Sequence, residues 1–318
     1  MYYISMKSIW LIGAGGIAAE YAKVLDTLGL SYQVIGRGIG SARKFEERMN
    51  RPVITGGLDN FLRTRPAIPN MAIVAIGVTE LKNAMVLLME YGVRKLFVEK
   101  PGFCFPKELE ESYEVASRTN SQVFFAYNRR FYSSVIKAEE IINEDGGILS
   151  FNFEFTEWGY IIEKGTYELN VLSNWFYENS THVIDLAFFL GGKPVQLSTY
   201  TTGKTNWHNP AIFTGAGRTE KDVLFCYQAN WLAPGRWGVE LLTSKHRLYL
   251  RPMEKLHIQE LGSVEVKPVE IDDTLDIYYK PGFYLETLAF VEGDYSRLCS
   301  IYDQKKNIEG LYNKILGK

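Results

Sequence analysis

Short apolar runs alternate with amphipathic segments through the first third of the chain. The run Ser8–Ile12 predicts a buried strand, and the segment Ile17–Leu28, with apolar side chains at helical spacing, predicts a helix that ends at Gly29. The same alternation recurs as far as Ala126. Strands that alternate with helices are typical of a parallel sheet covered on both faces. The pattern therefore predicts a doubly wound α/β domain over residues 1–126.

The pattern changes after residue 126. Alternating positions predict a long strand over Ile148–Trp158, and a helix is predicted over Thr181–Leu190. Strand-like runs without helices between them follow at 195–202, 222–231, 237–243, 246–250, 254–260 and 263–270. Such runs indicate a large, mostly antiparallel open sheet. We expect an α+β domain over 127–285 that carries a substrate site or a subunit contact. Residues 286–318 return to helical spacing, and we expect them to pack on the first domain.

The turn after the first strand is rich in glycine and reads Gly13-Ala14-Gly15-Gly16-Ile17. A glycine turn between a strand and a helix lets the main chain approach a pyrophosphate, and the helix N-terminus favours its negative charge. Gly13 would allow the tight turn and Gly15 the close approach. The turn predicts a dinucleotide site, and the alternative is a glycine turn that holds no ligand.

The end of the second strand bears on the choice of cofactor. Folds that bind NAD usually place an acid there for the ribose 2′-hydroxyl, but this chain has Gly36 followed by Arg37. Arg37 and Ser41 are suited to a 2′-phosphate. We predict NADP in preference to NAD. The alternative is that Arg37 is only a solvated loop charge.

Two groups of residues are candidates for proton transfer. Lys100 lies in Glu99-Lys100-Pro101, at the carboxyl end of a predicted strand, where it could meet a substrate oxygen or simply form a surface ion pair with Glu99. His182 and Asp185 are one turn apart in a helix that Ser180 or Thr181 would cap. The first turn of a helix favours a neutral imidazole, although a structural histidine is the alternative.

Further candidates follow the last strand of the first domain. Arg129 and Arg130 are suited to a phosphate or carboxylate, or to holding the domains together. Trp158 and Trp175 belong to an aromatic set that could stack on a sugar or base, although most of that set is expected in the core or an interface.

Composition narrows the class of protein. The 318 residues suit two domains, and a net charge of -2 without a basic run argues against a nucleic-acid partner. Three widely spaced cysteines predict neither a disulfide framework nor a metal site, and no apolar run reaches the ~20 residues of a membrane helix. We expect a cytoplasmic protein without a membrane partner.

The order of four motifs, GAGGIA, FVEKPG, YNRRF and THVIDLAFFLGG, resembles the Gfo/Idh/MocA oxidoreductases. The resemblance implies a Rossmann domain, a second domain whose open sheet forms homo-oligomers, and hydride transfer with a sugar, cyclitol or nucleotide-linked sugar. It implies that Lys100 and His182 are catalytic and that the bond before Pro101 is cis. Two departures stand out: Glu178 replaces the family's aspartate four residues before His182, and the turn at Ile76-Gly77-Val78 lacks the usual proline and histidine.

Together these observations predict an NAD(P)-dependent oxidoreductase that interconverts a hydroxyl and a ketone on a sugar, with a nucleotide-linked sugar as the leading substrate. The alternatives are an NAD-dependent free-sugar or cyclitol dehydrogenase and a non-catalytic dinucleotide sensor. The expected catalytic residues are Lys100, His182 and Glu178, and the expected substrate residues are Arg129, Arg130, Trp158, Trp175 and Asp185. The expected cofactor residues are Gly13, Ala14, Gly15, Gly16, Ile17, Gly36, Arg37, Ser41, Ile76, Gly77, Val78, Glu99, Lys100, Pro101 and Asn128.

Overall fold

The computed structural model describes residues 8–318. The chain divides into two compact units. The first runs to Ala126 and also includes Phe283–Lys305, and the second comprises Tyr127–Gly282 and Lys306–Lys318. The segment 286–318, whose helices were expected to pack on the first domain, is therefore divided between the units.

The first unit begins with six strands joined by five helices. The strands are β1 (Ile9–Ile12), β2 (Tyr32–Ile35), β3 (Val53–Ile54), β4 (Met71–Val74), β5 (Lys95–Glu99) and β6 (Gln122–Ala126). The helices are α1 (Gly16–Thr27), α2 (Ile39–Met49), α3 (Gly57–Arg63), α4 (Val78–Tyr91) and α5 (Pro106–Thr119). The pattern did not predict β3 or α3, because a two-residue strand carries no measurable alternation.

The six strands are parallel and lie in the order β3-β2-β1-β4-β5-β6. Every residue of β1 and β4 is buried, which explains why their sequences are uninterrupted apolar runs. The strand order reverses between β1 and β4. In open parallel sheets the crevice beyond the carboxyl ends at such a reversal is where ligands bind. The predicted doubly wound domain is confirmed.

The second unit follows with a short 3₁₀ turn at Asn128–Phe131 and an eight-stranded sheet. Its strands are β7 (Ser150–Glu154), β8 (Pro194–Thr202), β9 (Ile212–Thr219), β10 (Leu224–Asn230), β11 (Gly238–Leu242), β12 (His246–Leu250), β13 (His257–Glu260) and β14 (Lys267–Pro268). Its helices are α6 (Ser133–Glu144), α7 (Gly159–Ile162), α8 (Leu169–Ser173), α9 (Thr181–Gly191) and α10 (Thr274–Tyr278).

The second sheet has the order β14-β13-β12-β11-β7-β10-β9-β8. All neighbouring strands are antiparallel except β7 and β10, so the expectation of a mostly antiparallel sheet is confirmed. Phe188 of α9 packs edge to face on Phe151 and Phe153, which fixes the helix on one face of the sheet. The predicted strand Ile148–Trp158 is too long, because the chain leaves the sheet after Glu154 and enters α7.

The C-terminal part contributes α11 (Phe283–Glu292), β15 (Cys299–Ser300), α12 (Ile301–Asn307) and α13 (Asn313–Ile315). In the first unit, the ring of Phe283 lies 4.9 Å from that of Tyr21 in α1, and β15 pairs antiparallel with β6 as a seventh strand. Within residues 8–318 we find no helix with the length and apolar character needed to cross a membrane.

Candidate functional site

The glycine turn after β1 is built around Gly13. Its φ is +122°, and a Cβ atom there would lie 2.2 Å from the carbonyl oxygen of Ala75, which follows β4. Only glycine fits such a position without displacing main chain. The turns that follow β1 and β4 are thus in direct contact across the point where the strand order reverses.

The start of α1 has the features of an anion site. Gly15 occupies the N-cap without a side-chain hydrogen bond, and the first turn carries no acidic residue. A Cβ atom at Gly15 or Gly16 would meet nothing within 4 Å in the described part of the chain. This helix end therefore has no side-chain cap and is uncrowded at its glycines, an arrangement that fits a pyrophosphate bound by its first N–H groups. Ala14 and Ile17 flank the turn and are half-buried.

Close packing at the end of β2 explains why Gly36, and no acidic residue, stands there. A Cβ atom at Gly36 would lie 2.9 Å from Val53 Cγ1 and 3.1 Å from the Cβ of Ala14, so a longer side chain would require Val53 to move. Arg37 is 80% exposed, and its Nη1 lies 3.4 Å from Oε1 of Glu80. A weak exposed pair of this kind leaves Arg37 available to a stronger anion.

The remaining predicted cofactor residues of the first unit surround the same edge. The Ser41 hydroxyl donates to the Gly38 carbonyl oxygen at 3.0 Å. Gly77 is the exposed N-cap of α4, between the half-buried Ile76 and Val78. The helix begins without a side-chain cap here as well.

The loop after β5 carries Lys100, and the peptide bond from Lys100 to Pro101 is cis, as the family resemblance implies. The carboxylate of Glu99 accepts a hydrogen bond from the Tyr21 hydroxyl at 2.9 Å, and the Pro101 carbonyl accepts one from Gln304 Nε2 at 3.0 Å. At Gly102 a Cβ atom would overlap the ring of Phe125. The loop is therefore held from three sides, and its half-buried lysine lies at the carboxyl edge of the sheet.

Sequence reasoning missed the residues that hold this loop. Tyr21 was predicted only as part of an apolar helix stripe, but its hydroxyl lies between Glu99 and Glu286, the latter at 3.5 Å. Burial and these two carboxylates raise the pKa of Tyr21 well above its ordinary value. Glu286 and Gln304 are fully buried in the C-terminal segment. The sequence did offer one signal for this contact, since Glu286 is the single acidic residue within the apolar run Phe283–Val291.

In the second unit His182 is largely buried, and its ring meets that of Tyr127 edge to face at 5.6 Å. His182 is the second residue of α9, as predicted, but the expectation that Ser180 or Thr181 caps a free helix end there is wrong. A π-helical turn at Phe176–Ser180 runs directly into α9, and the Thr181 hydroxyl donates back to the Tyr177 carbonyl at 2.7 Å. Ser180 and Thr181 are therefore interior positions without a capping role. Glu178, four residues before His182, occupies a neighbouring position along the same continuous helix.

Three other predicted residues of the second unit have partners inside it. Arg130 donates from Nε and Nη2 to the two carboxylate oxygens of Asp185, at 2.8 and 2.5 Å. Both residues are buried, so this bidentate pair joins α9 to the turn at Asn128–Phe131. The side chain of Asn128 donates to the Pro281 carbonyl at 2.9 Å.

A buried acid that the sequence did not single out lies just beyond β7. Glu157 is 1% exposed and accepts hydrogen bonds from Ser180 at 2.8 Å and from Asn179 at 3.1 and 3.2 Å. Arg236 lies 3.6 Å from its second oxygen. Burial nevertheless raises the pKa of Glu157 to about 7, because these partners only partly replace lost water.

Glu157 opens on a cavity of about 610 Å³ with an aromatic wall. Trp158, Tyr160, Trp207 and Trp231 line it, together with polar Glu163, Lys204, Thr205 and Asn206. Trp158 is 43% exposed and donates from Nε1 to the Gly235 carbonyl at 3.0 Å. Trp175 is buried behind this wall, with its ring 6.0 Å from that of Trp207. Among residues 8–318 no group of three or more potential metal ligands is present.

No family model matches the sequence, and comparison with curated proteins finds no match. Solved structures do match over the whole chain. A dehydrogenase from Clostridium difficile is 17% identical, with 98% of this chain and 99% of that chain covered and a TM-score of 0.76. Levoglucosan dehydrogenase in complex with NADH is 14% identical (98% and 96% covered, TM-score 0.78). UDP-N-acetylglucosamine 3-dehydrogenase from Acidithiobacillus ferrooxidans is 11% identical (99% and 98% covered, TM-score 0.72). At these identities the similarity establishes the shared fold.

Proposed function

We propose that the protein is an NAD(P)-dependent oxidoreductase that interconverts a hydroxyl and a ketone on a sugar. One observation carries the proposal: the open glycine turn and Lys100 lie at the same carboxyl edge of one sheet. They follow β1 and β5, which are separated only by β4. Two strand spacings correspond to about 10 Å, a distance that an extended dinucleotide readily spans. The resemblance to the Gfo/Idh/MocA oxidoreductases and the fold of the solved dehydrogenases support it.

The cofactor would be held mainly by main chain. Gly15, Gly16 and the first N–H groups of α1 would bind the pyrophosphate, and the turn at Ile76–Val78 would flank it. Exposed Arg37 favours NADP, since Gly36 leaves no acid to repel a 2′-phosphate. When bound, a nicotinamide supplies or accepts the hydride.

Proton transfer is the task of the protein's own side chains. Lys100 would hold the proton of the substrate hydroxyl, and the loop contacts through Glu99 and Pro101 would keep its position. His182, supported by Glu178, is the second proton carrier in this proposal. A non-catalytic sensor would have no use for either group.

The aromatic cavity supports a sugar as the substrate. Indole faces such as those of Trp158 and Trp207 pack against the apolar face of a sugar ring, while Glu157 and Asn206 offer hydrogen bonds to its hydroxyls. Two of the similar structures are dehydrogenases named for levoglucosan and for a nucleotide-linked sugar. We propose a nucleotide-linked sugar as the substrate class.

Replacement of Lys100 by Met tests the proposal. Turnover of the sugar that the wild-type protein oxidises best, selected from a panel of free and nucleotide-linked sugars, should decrease by a factor on the order of 10² or more, because the proton carrier is lost. Dinucleotide affinity should stay unchanged. Lys95→Met, at the opposite end of the same strand, is the matched control. Unchanged turnover in Lys100→Met would refute the assignment.

We also propose that the chain forms homo-oligomers through the open face of the second sheet. Exposed residues with little charge, including Tyr200, Thr214 and Cys226, lie on neighbouring strands of that face. Sedimentation equilibrium would measure the mass of the assembly, and a monomer at micromolar concentration would contradict this part of the proposal.

A further inference from the structure

The second unit contains another cavity, of about 310 Å³, that the catalytic proposal does not use. Three arginines, Arg129, Arg236 and Arg251, line it, together with Trp237, Met253 and Glu254. These residues come from three segments of the chain: the start of the unit, the approach to β11 and the end of β12. The lining thus carries three guanidinium groups and one carboxylate, and two further carboxylates, Glu154 and Glu157, approach Arg251 and Arg236.

Trp237 orders two of the arginines. The guanidinium carbon of Arg129 lies 4.6 Å from its ring centre and that of Arg236 lies 4.1 Å from it. Stacking on a ring uses the flat face of a guanidinium and leaves its N–H edge available for an anion. Trp237 therefore holds both guanidinium groups in place beside the same cavity. Because they are already ordered, less conformational entropy is lost when a ligand binds.

Arg129, which lines this cavity, has an unsatisfied donor. Its Nε is buried, and no acceptor among residues 8–318 reaches it. Burial lowers the pKa of the Arg129 guanidinium from its ordinary value, which shows that the charge is held at a cost. An anion that accepted from this edge would offset that cost, because a buried charge is stabilised chiefly by a hydrogen-bonded partner.

Within residues 8–318, each of the other two arginines has one carboxylate partner. Arg251 donates to Glu154 at 2.8 Å and lies across Gly238, where a Cβ atom would come within 2.7 Å of its Nε. Arg236 has Glu157 at 3.6 Å, and the raised pKa of about 7 leaves that carboxyl only partly ionised at neutral pH. Each guanidinium has five N–H donors, so both keep donors for a ligand.

We infer that this arginine pocket binds a phosphate or pyrophosphate group. The pocket shares a wall with the aromatic cavity, since Arg236 stacks on Trp158 at 4.6 Å and Trp158 donates to the Gly235 carbonyl. A ligand with a phosphoryl group beside a sugar ring would occupy both spaces. That the ligand is the redox substrate rests on the proposed function, whereas the anion site itself does not.

Calorimetric titration with inorganic pyrophosphate at physiological salt tests the site. The wild-type protein should bind it saturably, Arg129→Met should lose at least tenfold in affinity, and Arg251→Gln should lose several-fold. Arg247→Gln is the control, because Arg247 pairs with Glu240 on the same sheet away from the pocket. Circular dichroism of Arg129→Lys and Arg129→Met verifies folding. If Arg129→Met unfolds, Arg129→Lys becomes the test variant. It keeps the positive charge but loses the bidentate guanidinium edge, so it should bind pyrophosphate more weakly than the wild-type protein.

Two results would overturn the inference. One is the absence of saturable binding to the wild-type protein. The other is binding that survives Arg129→Met but disappears in Gly15→Ala, which would place pyrophosphate at the glycine turn of the first unit. Titration of the same variants with NADPH separates the two proposals, because loss of the arginine pocket should leave dinucleotide affinity intact. A protein that binds pyrophosphate through Arg129 but no dinucleotide would refute the proposed function alone.

Discussion

The two units build their candidate sites from different parts of the polypeptide. In the first unit the site is mostly main chain: Gly13 and Gly15 shape a turn, and α1 begins there without a side-chain cap. In the second unit the candidate groups are charged side chains held by buried polar or aromatic neighbours. Glu157 accepts a hydrogen bond from Ser180, and Arg129 stacks on Trp237. Glycine positions are constrained by geometry alone, whereas charged groups depend on every neighbour that solvates them.

This difference predicts different responses to substitution. A methyl group added to a main-chain site acts through space and φ, so its effect follows from the position of the Cβ atom. A change at a side-chain site acts through charge and burial, so its effect depends on pH or on the ligand. The three predictions below test this contrast, in order of decreasing effect.

Substitution of two glycines in the same turn should affect different properties of the protein, stability in one case and dinucleotide binding in the other. Gly13→Ala should destabilise the protein by about 4 kcal/mol, through its φ of +122° and the 2.2 Å approach to Ala75. Gly15→Ala should leave the free energy of unfolding within about 0.5 kcal/mol, because its Cβ atom meets open space, but should weaken dinucleotide binding. Urea unfolding and NADPH titration measure the two quantities.

Gly40→Ala is the matched control, since Gly40 lies in α2 with open space around it and should be neutral or stabilised by up to ~1 kcal/mol. Equal destabilisation of Gly13→Ala and Gly15→Ala would show that the turn is sensitive as a whole. In that case the position of the Cβ atom would not predict the effect of a substitution in the first unit.

Glu157 should make the stability of the protein depend on pH. Its pKa is about 7 in the folded chain, above the ordinary 4.5, so the folded state binds the extra proton between these values. The stability that this group contributes should therefore be fully present below about pH 4.5, fall by about 3 kcal/mol as the pH rises to about 7, and then level off. Urea unfolding of wild type and Glu157→Gln across this range isolates the contribution, because the glutamine cannot titrate.

The same measurement on Glu163→Gln supplies the control, since Glu163 lines the same cavity but is exposed. Parallel pH profiles for the wild-type protein and Glu157→Gln would mean that water or Arg236 already compensates the buried charge.

The smallest expected effect concerns the choice of cofactor. Arg37→Ala should weaken NADPH binding roughly tenfold, or about 1.4 kcal/mol, and leave NADH binding unchanged, because only NADPH carries the 2′-phosphate. Fluorescence titration measures both affinities. Arg63→Ala, another exposed arginine, on α3 of the same unit, is the control. If Arg37→Ala weakens the binding of NADPH and NADH equally, Arg37 does not bind the 2′-phosphate.

Local patterns predicted the first unit well and the second less well. The uninterrupted apolar run of β1 and the glycines behind it are contiguous, so their meaning does not depend on distant residues. The helix Thr181–Leu190 was predicted close to the observed α9, but the π-helical turn at Phe176–Ser180 that precedes it was missed, because no simple spacing marks such a turn. Likewise β9 went unpredicted, since Gly215 and Gly217 stand where large apolar side chains would mark its inner face.

The amino-acid sequence by itself determined where strands alternate with helices, where the glycine turn falls and that Lys100 ends a buried strand. These features follow from periodicity and from the special freedom of glycine, both of which act over a few neighbouring residues. Only the tertiary structure decided that Tyr21 holds Glu99, that Arg130 is committed to Asp185, and that Glu157 and Arg129 are buried beside cavities. Burial and partnership set the charge and availability of a side chain, and they arise from segments far apart in the chain.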